Sequence, residues 1–248
     1  MTIHSGGKIN RSEVGYGLAV LPVNSRLRLI ADRISGDAHG VLDVGYDHGK
    51  LLAHLAQTRP ELTLIGGEVL PEAAERFEAT HSAGLADLRE GDGLSVATPG
   101  EVDVVVLAGL TDRTIIALLE AGREHLPHLR QVLCCPPALE TDLRPGLAAL
   151  GLVITDETVA FKRHRSYDVI VAEPGEVSEP PHPWGPTLIA RRDPLLTRHL
   201  TIQRHLMRRD FATEMRSHRL PDGSLDPMGR KLSLIDGLLA EAEGWMEA

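Results

Sequence analysis

The chain has 248 residues, of which 42% are hydrophobic and 25% charged, so it is long enough to bury one sizeable core. A formal net charge of −9 argues against a uniformly basic nucleic-acid binder. No apolar run approaches the roughly 18 residues of a membrane span, and the N-terminal MTIHSGGKINRSEVGYG lacks the apolar core of a signal peptide. The composition therefore favours a cytoplasmic enzyme or binding protein.

Apolar runs of strand length alternate along the chain with segments of helical periodicity. The predicted strands cover residues 41–44, 62–65, 102–107, 131–135, 152–161 and 167–172, with a short third strand ahead of residue 91. The predicted helices cover residues 25–34, 49–57, 71–82, 113–123 and 139–150. This alternation is typical of a doubly wound α/β sheet, and runs such as VDVVVLAG suit central parallel strands that are buried on both faces.

The last two predicted strands break the alternation. Only KRHR, residues 162–165, separates them, which is too short for a helical crossover and right for an antiparallel hairpin. A parallel sheet that ends in an antiparallel hairpin is the Rossmann-like sheet of class I methyltransferases rather than that of dehydrogenases. The predicted fold class is therefore α/β with this sheet, followed by a small C-terminal α-helical hairpin.

A proline-rich segment divides the chain. The sequence PGEVSEPPHPWGP cannot continue either a helix or a central strand. We therefore predict an N-terminal extension at 1–24, a Rossmann-like cofactor-binding domain at 25–176, a linker at 177–187 and a helical hairpin at 188–248.

Two apolar stripes mark the helices of the predicted hairpin. Leu196, Leu200 and Met207 fall on the first stripe, and Ile235 and Leu239 on the second. Two arrangements stay open at this point. The stripes pack against each other, or they form the interface of a partner, including a homodimer.

The sequence indicates no metal site. Cys134 and Cys135 are the only two cysteines, and they are adjacent in a predicted strand. Because no second pair completes a zinc site, we interpret them as small buried residues, which weakly favours a reducing compartment.

The turn after the first predicted strand is a candidate ligand site, because ligands of open α/β sheets bind at the carboxyl ends of the strands. In VLDVGYDHG only Gly45 and Gly49 remain as glycines. Asp47 occupies a position where the pyrophosphate of a dinucleotide would have to approach the backbone closely. S-adenosylmethionine has no phosphate, and its ammonium and sulfonium charges favour Asp43 and Asp47. The alternative is a plain strand–helix turn with an aspartate N-cap.

Later strand ends supply further candidate cofactor residues. Glu68, followed by Val69, comes after the second strand, where a carboxylate accepts hydrogen bonds from both ribose hydroxyls. Asp92 follows the third strand, placed to accept from an adenine amino group, while Gly93 admits the ring. The fourth strand brings three residues to the floor under the methyl group: Ala108, Gly109 and Leu110. Together these segments favour S-adenosylmethionine over NAD.

These residues also resemble a known family, the bacterial tRNA (adenine(22)-N(1))-methyltransferases. Four of its motifs recur in order: D-x-G-x-D-H at 43–48, G-E at 67–68, G-D-G-L at 91–94 and, in part, I-A-G-M-G-G at 107–112. The similarity continues through the last strand into the C-terminal helices. It implies transfer of a methyl group from S-adenosylmethionine to N1 of a tRNA adenine, with Asp43, Gly45, Asp47 and His48 in the cofactor site.

The chain departs from that family on the substrate side. Thr111 and Asp112 replace a glycine pair that would let a base approach the methyl donor closely, and Tyr46 replaces a serine of the first turn. Pro137 stands in place of an asparagine, and proline offers neither a side-chain hydrogen bond nor an N–H. The departures leave open another substrate or the loss of catalysis.

Asp47, His48 and Asp112 are the candidate catalytic residues. Asp47 and His48 would orient a substrate base or shuttle a proton, and the alternative is that they cap and pack the turn. Asp112 would act in catalysis or begin the following helix as its N-cap. Because adenine N1 carries its own lone pair, methyl transfer needs an in-line approach more than a strong general base.

Positive charge is concentrated in one segment of this acidic protein. Residues 191–219 hold eight arginines against three acidic residues. Arg204, Arg208 and Arg209 are the candidate RNA-binding residues, together with the KRHR turn, and the alternative is a solvated helix face with ion pairs. Three functions stay open: a tRNA methyltransferase, a catalytically silent cofactor-binding protein with an interface on its hairpin, and a small-molecule methyltransferase.

Overall fold

The computed structural model describes residues 24–81, 84–138, 142–216 and 225–245. The predicted N-terminal extension up to residue 23 lies outside the described residues. So do residues 82 and 139–141 of two predicted helices and Arg219 of the basic segment. Within the described ranges, no helix is both long and apolar enough to cross a membrane.

The described residues form seven strands and eight α-helices. The strands are β1 Gly40–Val44, β2 Thr63–Glu68, β3 Asp87–Glu90, β4 Val104–Ala108, β5 Gln131–Cys135, β6 Leu152–Lys162 and β7 Arg165–Pro174. The helices are α1 Ser25–Ala31, α2 Lys50–Thr58, α3 Ala73–Thr80, α4 Asp112–Ala121, α5 Leu143–Ala149, α6 Pro186–Ala190, α7 Pro194–Arg216 and α8 Leu225–Trp245.

All seven strands pair in one sheet in the order β3-β2-β1-β4-β5-β7-β6. The first five strands of this order are parallel to one another, whereas β7 runs antiparallel to both of its neighbours. Every residue of β1 and β5 is buried, as expected for central parallel strands covered on both faces. The predicted class I methyltransferase sheet with a terminal antiparallel hairpin is confirmed.

Helices cover both faces of the sheet. On one face, Ile30 of α1, Leu52 of α2 and Phe77 of α3 belong to a single buried apolar cluster. On the other face, Leu119 of α4 and Leu147 of α5 belong to a second cluster. Successive strand residues point alternately into the two clusters. Because both faces are closed, the carboxyl ends of the strands are the part of the sheet where loops can build a site.

Most predicted elements are present, with differences at their ends. β5 has the predicted bounds 131–135. β2 continues past its predicted end because Gly66 and Gly67 pair with strands on both sides. Helix α6 was not predicted, because its first two residues lie in the segment 177–187 that was interpreted as a linker. Pro186 occupies its first position, where the missing N–H is tolerated.

The C-terminal helices pack on each other and on the edge of the sheet. Leu200 of α7 lies in one buried cluster with Ile235 and Leu239 of α8. The same cluster contains Val159 of β6 and Trp184 of the proline-rich segment, so this segment contributes to the core. The packing against β6 was not predicted. The division into domains and a homodimer through these helices stay predictions.

A buried cluster of charges joins α5 to β6, β7 and the segment before α6. Arg144 is 1% exposed, its Nε donates to Glu157 at 2.7 Å and its Nη2 to Asp168 at 3.1 Å. Nη1 donates to the Pro183 carbonyl at 3.0 Å, and Glu157 also accepts from the backbone N–H and hydroxyl of Thr187. Burial opposes ionisation of Asp168, yet the Arg144 guanidinium holds the pKa of this carboxyl well below its ordinary value.

Replacing Arg144 by Met should lower the free energy of unfolding by about 3–5 kcal/mol near pH 7, because Glu157 and Asp168 become uncompensated buried charges. Without the cation, burial raises the pKa of the Asp168 carboxyl, so the loss should shrink at about pH 5, where this carboxyl takes up a proton. Urea denaturation at the two pH values measures both effects. The control is the triple variant R144M/E157Q/D168N, which should recover most of the loss. A triple variant no more stable than R144M would contradict the electrostatic origin.

Candidate active site

A cavity of about 400 Å³ opens at the carboxyl edge of the sheet, where β1, β2 and β4 end. Eight of the predicted cofactor residues line it: Asp43, Gly45, Asp47, His48, Glu68, Ala108, Gly109 and Leu110. The other lining residues are Tyr46, Lys50 and Leu51 of the first turn and α2, and Asn24, Arg26 and Leu27 at the start of α1. The strand-end arrangement therefore brings most of the predicted site together.

The turn between β1 and α2 shapes one wall of this cavity. Gly45, Asp47 and Gly49 take left-handed backbone conformations with φ of 70°, 50° and 60°. Glycine adopts this region freely, and aspartate is one of the few other residues found there. The Gly45 N–H donates to the Gly67 carbonyl at 2.8 Å, and the Gly49 N–H donates to the Tyr46 carbonyl at 2.7 Å. These bonds fix the turn against β2.

Two aromatic rings explain two of the glycines around this turn. The buried Tyr46 ring meets Phe77 of α3 edge-on, with ring centroids 6.1 Å apart. A Cβ at Gly66 would lie 2.7 Å from Tyr46 Cδ1, and one at Gly49 would lie 2.0 Å from Phe77 Cδ2. Burial, followed by the charge of Glu68, raises the pKa of Tyr46, so its hydroxyl stays protonated. The tyrosine that replaces the family's serine is thus accommodated by packing.

Asp43 and Glu68 give the cavity its negative charge. Asp43 is 5% exposed, and burial together with the charge of Glu68 raises its pKa to about 7. Glu68 Oε1 accepts the Val69 N–H at 2.9 Å, which orients the carboxylate at the end of β2. A cationic ligand beside Asp43 would offset its desolvation and lower its pKa. The position beside Asp43 and Glu68 is therefore suited electrostatically to a cation, and the cavity lining also contains the cations Arg26 and Lys50.

The end of β4 forms the floor of the cavity. Gly109 has φ of 89°, and its N–H donates to the Cys135 carbonyl of β5 at 2.8 Å. No atom of the described residues lies within 4 Å of where a Cβ at Gly109 would stand. Leu110 reaches across to Gly45, since its Cδ2 is 3.8 Å from the corresponding Cβ position there. A ligand can therefore approach the backbone closely at Gly109.

Three predicted cofactor residues do not line the cavity. Val69 is 53% exposed, Asp92 is exposed, and Gly93 is buried at the start of a short 3-10 turn. The Gly91 N–H donates to the Glu68 carbonyl at 3.0 Å, which holds their loop beside the end of β2. The loop therefore lies next to the cavity, and the adenine-binding roles of these residues stay predictions.

Of the candidate catalytic residues, Asp47 and His48 lie at the cavity, and Asp112 does not line it. His48 Nε2 is 3.8 Å from Asp47 Oδ2, and both side chains are more than half exposed. The prediction that Asp112 caps α4 is wrong by one residue. Thr111 is the N-cap and accepts a first-turn N–H at 3.3 Å, while Asp112 is the first helical residue. A threonine side chain here starts the helix, which a glycine could not do by hydrogen bonding.

Sequence reasoning missed the contribution of α1 to the cavity. Asn24 caps this helix by accepting the Leu27 N–H at 3.1 Å. Arg26 Cζ lies 5.3 Å from the centroid of the Tyr167 ring on β7, a cation–π distance. The Asn-Ser pair is an N-cap signal in the sequence, but it does not tell which strand ends the helix will reach. Among the described residues, no group of three or more His, Cys, Asp or Glu side chains is placed to hold a metal ion.

Two of the three candidate RNA-binding arginines form ion pairs inside the hairpin. Arg204 Nη1 lies 3.0 Å from Asp236 Oδ1, and Arg208 Nη2 lies 3.1 Å from Asp236 Oδ2. The hydrogen bond from Arg204 lowers the pKa of Asp236 below its usual value. Arg198 lies over the Phe161 ring, with Cζ 4.2 Å from its centroid. Arg209 lines a second cavity. The RNA-binding roles of these arginines stay predictions.

Replacing Asp43 by Asn should stabilise the ligand-free protein at alkaline pH. The folded-state pKa of about 7 lies above the unfolded value near 4, so Asp43 destabilises the fold increasingly from about pH 4 and fully above pH 7. The gain should therefore be near zero at about pH 4 and reach at most about 4 kcal/mol above pH 7. Urea denaturation across this range measures it. The exposed control Asp47→Asn should show no such trend, and a pH-independent D43N effect would contradict the prediction.

Replacing Gly49 by Ala should destabilise the fold by about 2–5 kcal/mol, because the methyl group would overlap the Phe77 ring at a left-handed position. In a Phe77→Ala background the cost should fall to the backbone strain alone. Gly109→Ala is a matched control, with left-handed φ and no overlap. Equal costs for G49A in both backgrounds, measured by chemical denaturation, would count against the steric explanation.

The chain is similar in sequence to known methyltransferases. Residues 23–170 match the methyltransferase domain family. A tRNA (adenine(22)-N(1))-methyltransferase of Bacillus subtilis is 28% identical over 160 residues, which cover 63% of this chain and 67% of that protein. The family match therefore includes strands β1 to β6, the first part of β7 and the residues that line the first cavity.

Solved structures share the fold over most of the chain. A Streptococcus pneumoniae protein assigned as a tRNA (m1A22) methyltransferase, crystallised with S-adenosyl-L-methionine, superposes with a TM-score of 0.73 and 26% identity over 88% of this chain and 100% of its own. The Bacillus subtilis m1A22 tRNA methyltransferase gives a TM-score of 0.72 at 22% identity, over 88% of this chain and 99% of its own. With its family match extending over more than half of its length, this chain belongs to the methyltransferase domain family.

Proposed function

We propose that this methyltransferase uses S-adenosylmethionine and methylates N1 of an adenine in tRNA, the reaction for which its Bacillus subtilis relative is named. The observation that carries the proposal is the cavity at the strand ends, which combines carboxylates with glycine backbone on two neighbouring loops. The Streptococcus pneumoniae protein of the same fold was crystallised with this cofactor.

The cavity fits a cationic ligand without a phosphate. Asp43 is buried with a raised pKa, which means that a carboxylate is held there without an adequate counter-charge. Asp47 occupies the turn where a dinucleotide pyrophosphate would need glycine. Both observations favour S-adenosylmethionine over NAD, because only the former brings cationic groups to this wall.

Different residues of the cavity would contact different parts of the cofactor. When bound, S-adenosylmethionine supplies the methyl group on a positively charged sulfur. Asp43 and Asp47 would face its charged amino acid end, and Glu68 would accept hydrogen bonds from the ribose hydroxyls. The left-handed glycines Gly45 and Gly109 leave room for the ligand close to the backbone. Asp92 would accept from the adenine amino group if its loop reaches over the ring.

The substrate adenine needs positioning more than activation. Its N1 lone pair attacks directly, so in-line alignment with the methyl group supplies most of the advantage. Asp47 and His48 are exposed at the cavity, and in this proposal they would orient the base there. Thr111 is engaged in capping α4, and Pro137 carries no polar side chain. The remaining contacts to the base therefore come from elsewhere on this edge of the sheet.

Replacing Glu68 by Ala should weaken S-adenosylmethionine binding by about 1–3 kcal/mol, or roughly 5–150-fold, because a charge-assisted pair of hydrogen bonds is removed. Calorimetry measures the dissociation constant. Glu90→Ala at the end of β3 is the matched control, since Glu90 is exposed and does not line the cavity. An unchanged dissociation constant for E68A would remove Glu68 from the cofactor site.

Incubation of unmodified tRNA with labelled S-adenosylmethionine and the purified protein tests the reaction itself. Nucleoside analysis should find the label in 1-methyladenosine, and calorimetry should show tighter binding of S-adenosylmethionine than of NAD. Label in a different nucleoside, or only in small molecules, would contradict adenine as the substrate and identify another methyl acceptor. Tighter binding of NAD would overturn the cofactor assignment.

A further inference from the structure

A second cavity of about 250 Å³ lies between the loop after β5, the start of β7 and helix α7. Pro137, Ser166, Gln203 and Met207 are among its lining residues, so its wall is partly polar and partly apolar. Ligand sites for drug-sized molecules measure about 300–1,000 Å³. A cavity of this size therefore admits about one planar group such as a nucleobase.

Strand direction places the second cavity on the same edge of the sheet as the first. β5 ends at this edge, and β7 begins there because it runs antiparallel to β5. The loop after β4 is tied to β5 by the bond from the Gly109 N–H to the Cys135 carbonyl. Arg26 lines the first cavity and lies over the ring of Tyr167, the residue after Ser166. The Arg26–Tyr167 pair thus links the first cavity to β7, the strand that also supplies Ser166 to the second cavity.

The polar wall of the second cavity is held rigidly. Ser166 is buried, and its hydroxyl lies 2.8 Å from Nδ1 of the buried His199. Gln203 Nε2 donates to the Ser166 carbonyl at 3.0 Å, which fixes the amide plane. With Nε2 committed in this way, Oε1 is the acceptor that the Gln203 side chain can present to a ligand. A fixed amide acceptor of this kind recognises an exocyclic amino group.

The rim of the second cavity is positively charged. Residues 162–165, the KRHR turn between β6 and β7, are all exposed. Among the described residues, none of the four belongs to an ion pair, and Arg165 lines the cavity beside Arg209 of α7. Arg204 and Arg208 differ from them, because both pair with Asp236. The positive charge around the second cavity that is not paired with Asp236 thus includes the exposed turn, as anion binding requires.

We infer that the second cavity holds a nucleotide of the RNA strand next to the target adenine, with the turn 162–165 contacting its phosphates and Gln203 contacting the edge of its base. The inference rests on the proposed function and extends it to the substrate. Pro137 and Met207 supply the apolar surface against which a base lies, and Arg165 is placed for a phosphate. Because both cavities lie on the carboxyl edge of the parallel strands, one RNA strand that follows this edge would supply the target adenine to the first cavity and its neighbour to the second.

Arg165→Gln and the triple variant K162Q/R163Q/R165Q test the phosphate contacts. The dissociation constant for tRNA, measured by fluorescence anisotropy from low to high salt, should rise several-fold for R165Q, and the slope of log K against log salt should fall by about one for each phosphate that the protein no longer neutralises. Arg192→Gln is the control, since Arg192 belongs to the same basic segment but precedes α7, next to an arginine that pairs with Asp156 at the start of β6. S-adenosylmethionine affinity and the unfolding midpoint should not change.

Gln203→Met tests the base contact with RNA hairpins that differ only in the nucleotide beside the adenine. Wild-type protein should discriminate among them through KM, and Q203M should lose this discrimination with kcat retained. If loss of the bond to Ser166 prevents Q203M from folding, the arginine variants decide alone.

The outcomes separate the inference from the proposed function. Methylation of tRNA by wild-type protein, with R165Q and the triple variant behaving like R192Q, would overturn the inference and leave the proposed function standing. Absence of tRNA methylation with salt-dependent tRNA binding that the triple variant loses would support the RNA surface while overturning the reaction. Binding of free AMP or CMP that R165Q abolishes, without any change in tRNA binding, would assign the cavity to a free nucleotide and overturn the RNA strand as its occupant.

Discussion

The buried guanidinium of Arg144 is the interaction on which the C-terminal half of the structure depends. A cation inside the protein must meet its counter-charges at close range, so the segment from α5 to α6 settles where Glu157 and Asp168 face it. This holds the proline-rich segment against β6 and lets Trp184 enter the core. Helix α7 is then positioned so that Gln203 hydrogen-bonds to Ser166 at the beginning of β7. A charge cluster whose members do not line the first cavity thus contributes to the placement of the elements around the second cavity.

Carboxylates and an exposed basic turn lie at different positions along the carboxyl edge of the parallel strands. The net charge of −9 does not reveal this distribution. The carboxylates of Asp43, Asp47 and Glu68 surround the cavity at β1, β2 and β4, and the exposed cations of residues 162–165 lie beyond β5. Salt screens exposed charges beyond about 8–10 Å, so each group of charges acts mainly on the part of a bound complex nearest to it. In the proposed function, the cationic cofactor and the polyanionic RNA would therefore each meet charges of opposite sign.

Sequence patterns predicted the parts of the molecule that local rules decide. The strand ends with Asp43, Glu68 and Gly109, and the closing hairpin at 162–165, follow from apolar periodicity and loop length. The features that the sequence patterns did not predict depend on contacts between distant segments of the chain. No local signal says that Gly49 must clear the ring of Phe77, or that Arg204 meets Asp236 on the other helix of the hairpin. An amphipathic stripe indicates that one face of a helix is apolar. Which element covers that face depends on the tertiary packing.

The cofactor cavity is also the place where the fold tolerates local strain. The left-handed conformation of Asp47 and the burial of the Asp43 carboxyl with its raised pKa are each unfavourable. The two apolar clusters that close the faces of the sheet supply the stability that offsets them. Because a cation beside Asp43 removes its desolvation penalty, ligand binding and folding stability are coupled through this one carboxyl. Arg26 connects this cavity to β7, since it lines the cavity and also lies over the ring of Tyr167.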